Sequence, residues 1–223
     1  NAEVLGELKH QNPSQIINFQ NDFLGIEKRR WQLSNNESIP VITSKQVSLG
    51  LSYNQKGWLV NAVSFYKKVN GITTQSQGFL DRYEFTRQSG NYDASGVDLL
   101  IRKQLQSGST WFSYSYLNSN YFFNELPETK FPSNFDITHA LTLGANYSFN
   151  HLLFAIGANW RTGKPLTSPV VNNEVIDGGI NYQNENGDRQ DAYSRIDFSG
   201  RYEFNWGKNT KMQIGLALWN RRF

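Results

Sequence analysis

The sequence contains no cysteine in its 223 residues and only one methionine. Without thiols the chain has no disulfide framework, no thiolate metal site and no thiol nucleophile. It also lacks an apolar run near the roughly 18 residues that mark a membrane-spanning helix, and its mean hydropathy is −0.58. These absences exclude a helical membrane protein but not a membrane β-barrel, because alternating strands average to a polar composition.

An excess of one charge is also missing, since 22 basic and 19 acidic side chains leave a formal net charge of +3. A surplus this small gives no reason to expect a nucleic-acid partner. Aromatic residues, in contrast, are abundant, with 15 Phe, 11 Tyr and 6 Trp. They suit the aromatic girdles of a membrane barrel or loops that face a ligand.

The clearest local pattern lies between His139 and Trp160, where two runs of about ten residues flank a turn at Asn150 and His151. Apolar residues occupy every second position: Leu141, Leu143, Ala145, Tyr147 and Phe149, then Leu152, Phe154, Ile156, Ala158 and Trp160. This period predicts a β-hairpin with one apolar face. Strands of about 9–11 residues are what a bilayer requires. A long hairpin of a soluble β-sandwich would show the same alternation, so the hairpin alone leaves both folds open.

The same alternation predicts about eight strands in four hairpins. They fall at 46–53, 58–68, 97–105, 110–120, 139–149, 152–160, 193–204 and 211–220. Short turns join the strands of each hairpin, whereas the segments 1–44, 69–94, 121–136 and 161–192 are predicted to be long polar loops. Loops above about 12–15 residues are uncommon in compact soluble domains. Short periplasmic turns that alternate with long extracellular loops are typical of outer-membrane barrels. We therefore predict an all-β fold, a transmembrane antiparallel up-and-down β-barrel.

The predicted strands also orient the charged residues. Six of them lie opposite the apolar positions: Asp98, Arg102, Arg195, Asp197, Arg201 and Glu203. A charge that faces lipid at mid-depth would cost about 2–4 kcal/mol. We expect these side chains to face the lumen, where packing against a plug or along the wall is favoured over direct ligand contact.

Catalytic and metal-binding patterns are weak. His10, His139 and His151 are far apart in the predicted strands and loops, and a metal or general-base role is not favoured for any of them. Asn184, Asn186, Gly187 and Asp188 are spaced faintly like a calcium loop, but an ordinary polar loop is the favoured interpretation. We predict no catalytic residue, no metal site and no cofactor.

The better candidates for ligand binding are aromatic and basic residues of the predicted extracellular loops. They are Arg29, Arg30, Trp31, Tyr83, Tyr92, Tyr121 and Phe122, with Phe85 and Phe123 beside them. Such side chains can stack on a sugar, a chelate or a peptide. They could equally pack the loops against one another, and both interpretations stay open.

Five stretches, in order, resemble the C-terminal barrel of TonB-dependent receptors, particularly the Bacteroidetes type. They are Phe65 to Ile72 (FYKKVNGI), Ser95 to Asp98 (SGVD), Phe135 to His139 (FDITH), Trp160 to Pro165 (WRTGKP) and Tyr193 to Asp197 (YSRID). The resemblance covers nearly the whole chain. It implies a barrel of about 22 strands with a plugged lumen, to which this chain would contribute about a third.

The resemblance also implies a domain organisation. Residues 1–223 would form a partial outer-membrane barrel domain, and the plug domain and the closing strand would lie outside the chain. The first residue is not an initiator methionine, and Trp219 to Phe223 does not continue the alternation. We therefore expect a fragment that is truncated at both ends.

Function follows from the same resemblance. It implies an outer-membrane receptor, not an enzyme, that imports a scarce ligand with energy supplied through TonB. The implied partners are outer-membrane lipid, the receptor's own plug, the TonB complex, a siderophore, cobalamin, oligosaccharide or peptide, and a surface lipoprotein.

The alternatives are a passive porin, a small eight-stranded structural or adhesion barrel, and a soluble β-sandwich binding module. Side chains must fill the lumen of a closed eight-stranded barrel. The small inward residues Ser48, Gly50, Gly144, Ser148, Gly157 and Ser199 argue against it.

Overall fold

The structure, a computed structural model, describes residues 1–17, 29–35, 39–74, 88–207 and 210–221. Its strands in chain order are β1 (Ala2–Gln11), β2 (Pro13–Ile17), β3 (Arg29–Leu33), β4 (Ile42–Gln55), β5 (Trp58–Thr73), β6 (Ser89–Leu105), β7 (Gly108–Phe122), β8 (Lys130–Pro132), β9 (His139–Phe149), β10 (Leu152–Arg161), β11 (Pro165–Leu166), β12 (Val175–Ile176), β13 (Gly179–Ile180), β14 (Asp188–Arg189), β15 (Tyr193–Trp206) and β16 (Thr210–Arg221). Nine of these, each of ten residues or more, lie in one antiparallel sheet in the order β1-β4-β5-β6-β7-β9-β10-β15-β16, and the short β8 pairs with β7 as a tenth strand. The predicted all-β antiparallel architecture is confirmed.

The connections alternate in length, as the sequence predicts. Tight turns at 56–57, 106–107 and 150–151 join β4 to β5, β6 to β7 and β9 to β10, and only three residues separate the end of β15 at Trp206 from the start of β16 at Thr210. Lys56 and Gly57 both have positive φ, 50° and 76°, which is the backbone of a type I′ turn and matches the twist of the flanking strands. The long connections all leave from the opposite end of the sheet. We call residues 123–138 loop A and residues 162–192 loop B.

Two predicted loops are partly strand. Residues 1–44 are not one surface excursion, because β1 pairs with β4 over its whole length, from Ala2 opposite Leu51 to Gln11 opposite Ile42. The alternation of β1 is faint because Gly6 falls on its apolar side. The predicted loop 69–94 is shorter as well, since β5 continues to Thr73 and β6 begins at Ser89, with a bulge between Asn70 and Ile72. Gly71 supplies the positive φ of that bulge, 81°.

The register sorts the side chains of the large sheet into an apolar face and a polar face. The apolar face is exposed, with large residues such as Leu49 (47%), Leu143 (41%), Ile156 (51%) and Leu216 (64%). Among the described strands, the only charged residues on this face are Lys45, Lys68 and Asp93 near the loop end and Lys103 near the turn end. A soluble protein does not leave such a surface bare. This is the lipid-facing side, and the polar face is the lumenal side.

An aromatic belt marks the edge of the lipid-facing side that is nearer the long loops, which we call its upper edge. Tyr66, Tyr116 and Trp160 each follow the last residue of a tight turn, Gly57, Ser107 or His151, by nine positions. Nine residues at about 3.3 Å each, tilted by about 40°, rise about 23 Å. That distance is close to the apolar band of about 25 Å in outer-membrane barrels.

A cluster of buried hydrophobic residues lies at the loop end of the polar face. It consists of Val69, Ile72, Tyr121, Phe123, Leu126 and Phe131. No helix in the described part of the chain is long and apolar enough to cross a membrane. Within the described residues, β1 and β16 are the two edges of the sheet and pair with β4 and β15, not with each other.

Candidate functional site

The six charged residues that the sequence assigns to the lumen all lie on the polar face of the sheet. Asp98 accepts a hydrogen bond from Ser115 Oγ at 2.5 Å, and Arg102 Nη2 donates to Gln104 Oε1 at 3.3 Å. The structure thus places these residues on the predicted face of the sheet, whereas their contact with a plug stays a prediction.

The remaining four charges pair within a single strand. Arg195 Nε lies 2.8 Å from Asp197 Oδ2, and Arg201 Nη2 lies 3.2 Å from Glu203 Oε1. On β1, Lys9 Nζ lies 2.8 Å from Glu7 Oε1 on the same face. These side chains are substantially exposed, so each pair contributes little to stability. Their effect is to balance the charge of the wall locally.

Large aromatic side chains also lie on this inner wall, and the sequence analysis did not single them out. Phe65 and Trp111 cover Gly96 and Gly144 of the neighbouring strands, where a Cβ atom would overlap the rings. Trp219 lies opposite Asp197, and the Arg195 guanidinium carbon is 5.7 Å from the centroid of its ring. Alternation alone could have placed Trp111 and Trp219 inward, because each is next to an outward apolar residue, Phe112 or Leu218.

Loop A folds back onto the inner wall. Tyr121 is 1% exposed, and its ring centroid lies 5.8 Å from that of Phe131 and 6.1 Å from that of Phe123. Tyr92, directly opposite on β6, meets Tyr121 edge-on at 6.1 Å. The predicted loop position is therefore wrong for Tyr121, which is the penultimate residue of β7 and is buried by the returning loop. Tyr92 is likewise a strand residue and is only partly exposed.

Loops A and B are fastened to each other by an ion pair. Arg189 Nη2 lies 2.7 Å from Asp136 Oδ2, and Arg189 Nη1 donates to the Asp136 carbonyl at 2.7 Å and to the Gly163 carbonyl at 3.2 Å. The Asp136 side chain is 7% exposed and that of Arg189 is 36% exposed. One guanidinium thus joins the end of loop A to the base of loop B.

A second set of hydrogen bonds joins the same loops farther out. The Asn186 side-chain amide donates to the Pro132 carbonyl and to Asn134 Oδ1, each at 2.8 Å. The backbone N–H of Glu185 donates to Glu128 Oε2 at 2.8 Å. The segment whose sequence resembles a calcium loop is part of loop B, and its hydrogen bonds hold loop B against loop A. In the described residues no group of three His, Asp or Glu side chains could hold a metal ion.

The other predicted ligand-binding residues are dispersed. Trp31 is 65% exposed on β3, which pairs with β2 as a separate hairpin. The side chains of Arg29 and Arg30, and all of Tyr83, lie outside the described part of the structure. Phe122 is the last residue of β7, not a loop residue, and its ring centroid lies 5.6 Å from Lys130 Nζ. Among the candidates whose side chains the structure describes, only Tyr92 and Tyr121 are brought together, and they form packing contacts.

A small polar cavity of about 200 Å³ lies at the base of loop B. Its lining includes Arg161, Lys164 and Asp191. Pockets that enclose drug-sized ligands hold about 300–1,000 Å³, so this cavity suits at most part of a ligand.

The exposed apolar face, the aromatic belt and the charged inner wall are together typical of the wall of a membrane β-barrel. The chain belongs to the family described as TonB dependent receptor-like, beta-barrel, whose model matches residues 22–218. Members of this family are outer-membrane transporters, not enzymes. Comparison with curated proteins and with solved structures gave no match.

Proposed function

We propose that this chain forms part of the wall of an outer-membrane receptor that imports a ligand by active transport, with energy supplied through TonB. The observation that carries the proposal is that one face of the sheet is apolar and the other holds most of the charged residues. The chain with this arrangement matches the receptor-barrel family over residues 22–218. A wall that is apolar outside and charged inside encloses an aqueous or protein-filled lumen. No bond is made or broken in this function.

The proposal includes a wider barrel and a plug. Open sheet edges are not tolerated in lipid, and β1 and β16 are both edges in the described sheet. We infer that further strands close the sheet, as in a barrel of about 22 strands. Three lumenal residues stay exposed. The side chains of Arg201 and Glu203 are 46% and 47% exposed, and Trp219 as a whole residue is 75% exposed. They are available to contact a plug domain.

Ligand capture is proposed for the loop end of the barrel. Trp31 presents an exposed ring beside Arg29 and Arg30 in the sequence, and Phe122 and Tyr83 remain further candidates. Tyr121 is left out because it is buried. The ligand classes are siderophore, cobalamin, oligosaccharide or peptide. A receptor of the Bacteroidetes type could add a surface lipoprotein over the loops.

The test is uptake by cells that carry the full-length receptor, with labelled members of the four ligand classes supplied at the surface. We expect one class to accumulate in the periplasm, and both a protonophore and deletion of TonB to abolish accumulation while surface binding persists. Accumulation that continues without TonB or a proton gradient would identify a passive porin and contradict the proposal.

A further inference from the structure

The two lysines on the upper part of the lipid-facing side lie directly opposite each other. The register pairs Lys45 of β4 with Lys68 of β5, and both side chains are exposed. Like charges in directly opposed positions of a sheet are destabilising. Neither lysine makes an ion pair with an acid in the described residues. The arrangement is unfavourable unless an anion lies near both ammonium groups, and the one acid on this face of the described strands, Asp93, is opposite Lys68 and not beside Lys45.

Their depth is set by the aromatic belt. Lys68 follows Tyr66 by two residues on the same face, which places it about 6–7 Å farther along the strand. Below the pair the outward positions of β4 are the apolar residues Val47, Leu49 and Leu51. Long lysine side chains extend from apolar surface towards the polar boundary. The two ammonium groups therefore lie at the level of the lipid head groups.

The surroundings of the pair are polar and carry one acid. Thr43 and Asn70 lie one outward position above Lys45 and Lys68, and His10 lies opposite Thr43. Asp93 is opposite Lys68 on the far side and is only partly exposed. One acid beside two cations leaves the group with a net positive charge.

We propose that Lys45 and Lys68 form a binding site for the phosphorylated head group of a lipid in the leaflet next to the long loops. A phosphate between the two ammonium groups satisfies both charges, and Asn70 and Thr43 are additional hydrogen-bond donors within the same surface. The acyl chains then lie along Val47, Leu49 and the neighbouring apolar face. This site is separate from the lumen and from ligand import.

The experiment uses the full-length receptor in phosphatidylcholine nanodiscs doped with fluorescent diphosphoryl lipid A. Binding is compared with that of dephosphorylated lipid A and is repeated in millimolar inorganic phosphate. The test variant is Lys45→Gln/Lys68→Gln. The matched control is Lys67→Gln/Lys103→Gln, which removes the same charge. Lys67 is the inward neighbour of Lys68, and Lys103 lies at the other end over Trp58, with Nζ 4.7 Å from the ring centroid.

We expect the Lys45→Gln/Lys68→Gln variant to bind diphosphoryl lipid A about thirtyfold more weakly at low salt. The control and the conservative Lys45→Arg/Lys68→Arg variant should bind it as the unmodified receptor does. Heat-modifiable mobility on gels verifies that each variant is folded.

Three results would overturn the proposal. Equal losses in the test and control variants would show a general charge effect. Equal binding of dephosphorylated lipid A would show that only the acyl chains are recognised. Displacement of the lipid by inorganic phosphate would show a site for free anions and not for a lipid.

Discussion

At the scale of single residues, the inner wall depends on glycines that make room for rings. Gly144 of β9 lies beneath the indole of Trp111, and Gly96 of β6 lies beneath the ring of Phe65. A flat ring over a glycine covers backbone that would otherwise be exposed, a device known to stabilise sheets. These glycines are therefore packing positions and not flexible points.

We predict that Gly144→Ala destabilises the receptor by about 1–3 kcal/mol, because the new methyl group overlaps the Trp111 indole. The measurement is the urea midpoint of the full-length receptor in detergent micelles. Gly157→Ala is the control, since Gly157 is the cross-strand partner of Gly144 and its Cβ would meet nothing closer than 3.9 Å.

A compensating change strengthens this test. Trp111→Phe, combined with Gly144→Ala, should recover part of the lost stability because the smaller ring leaves room for the methyl group. A Gly157→Ala loss as large as that of Gly144→Ala would instead indicate a general intolerance of the sheet to side chains at glycine positions.

Trp31 allows a prediction about ligand capture. Trp31→Ala should weaken ligand binding by about 1–2 kcal/mol, the range for a stacked aromatic contact, and should leave stability unchanged because the ring is 65% exposed. Leu33→Ala is the matched control, since Leu33 is 75% exposed on the same side of β3. Isothermal titration with the transported ligand measures both variants. Equal affinity losses would show that any apolar truncation of this hairpin matters.

At the scale of elements, the long strands were predictable and the loop packing was not. Alternation over the eight predicted strands reports which face meets lipid, and that requirement acts on every second residue of each strand. In contrast, the burial of Tyr121 depends on Phe131, which returns from loop A, and alternation contains no information about such a contact. The β1 strand was missed because Gly6 interrupts its apolar side.

The fastening of loop A to loop B supplies a prediction at this scale. Arg189→Gln removes the only formal charge that Asp136 pairs with in the described residues, and we expect local opening of the loops to become easier by about 1–3 kcal/mol. Hydrogen exchange of residues 123–138 and 162–192 in the full-length receptor measures the change. Lys164→Gln, an exposed cation in loop B, is the control and should exchange normally. Unchanged protection in Arg189→Gln would show that the Asn186 bonds suffice to hold the loops together.

At the scale of the whole molecule, the sequence predicted which surface meets lipid because charge is excluded from it. The described strands place four charged residues outward and all of them lie near the two ends of the strands. Ligand-binding residues were less predictable, since a loop aromatic can either stack on a ligand or pack against a neighbouring loop. Only the fold distinguishes Trp31, which is exposed, from Tyr121, which is buried.

The absence of cysteine in this chain permits a direct test of the lipid-facing side. Leu216→Cys and Ala217→Cys lie next to each other on β16, and both positions are exposed in the structure. In native membranes a water-soluble maleimide should label Ala217→Cys and should not reach Leu216→Cys, which faces lipid. The readout is the mass shift of the receptor after labelling. Equal labelling of both variants would show that lipid does not cover Leu216 and would contradict the assignment of this face.

The inner-wall ion pairs have one further consequence. In Glu7 with Lys9, Arg195 with Asp197 and Arg201 with Glu203, each charge finds its partner two residues away on its own strand. Each pair forms in this structure with no plug against it, so displacing a plug would leave these six charges compensated. The opened passage would present closely spaced dipoles whose fields decay within a few ångströms. Such a surface would attract or repel a passing charged ligand only weakly.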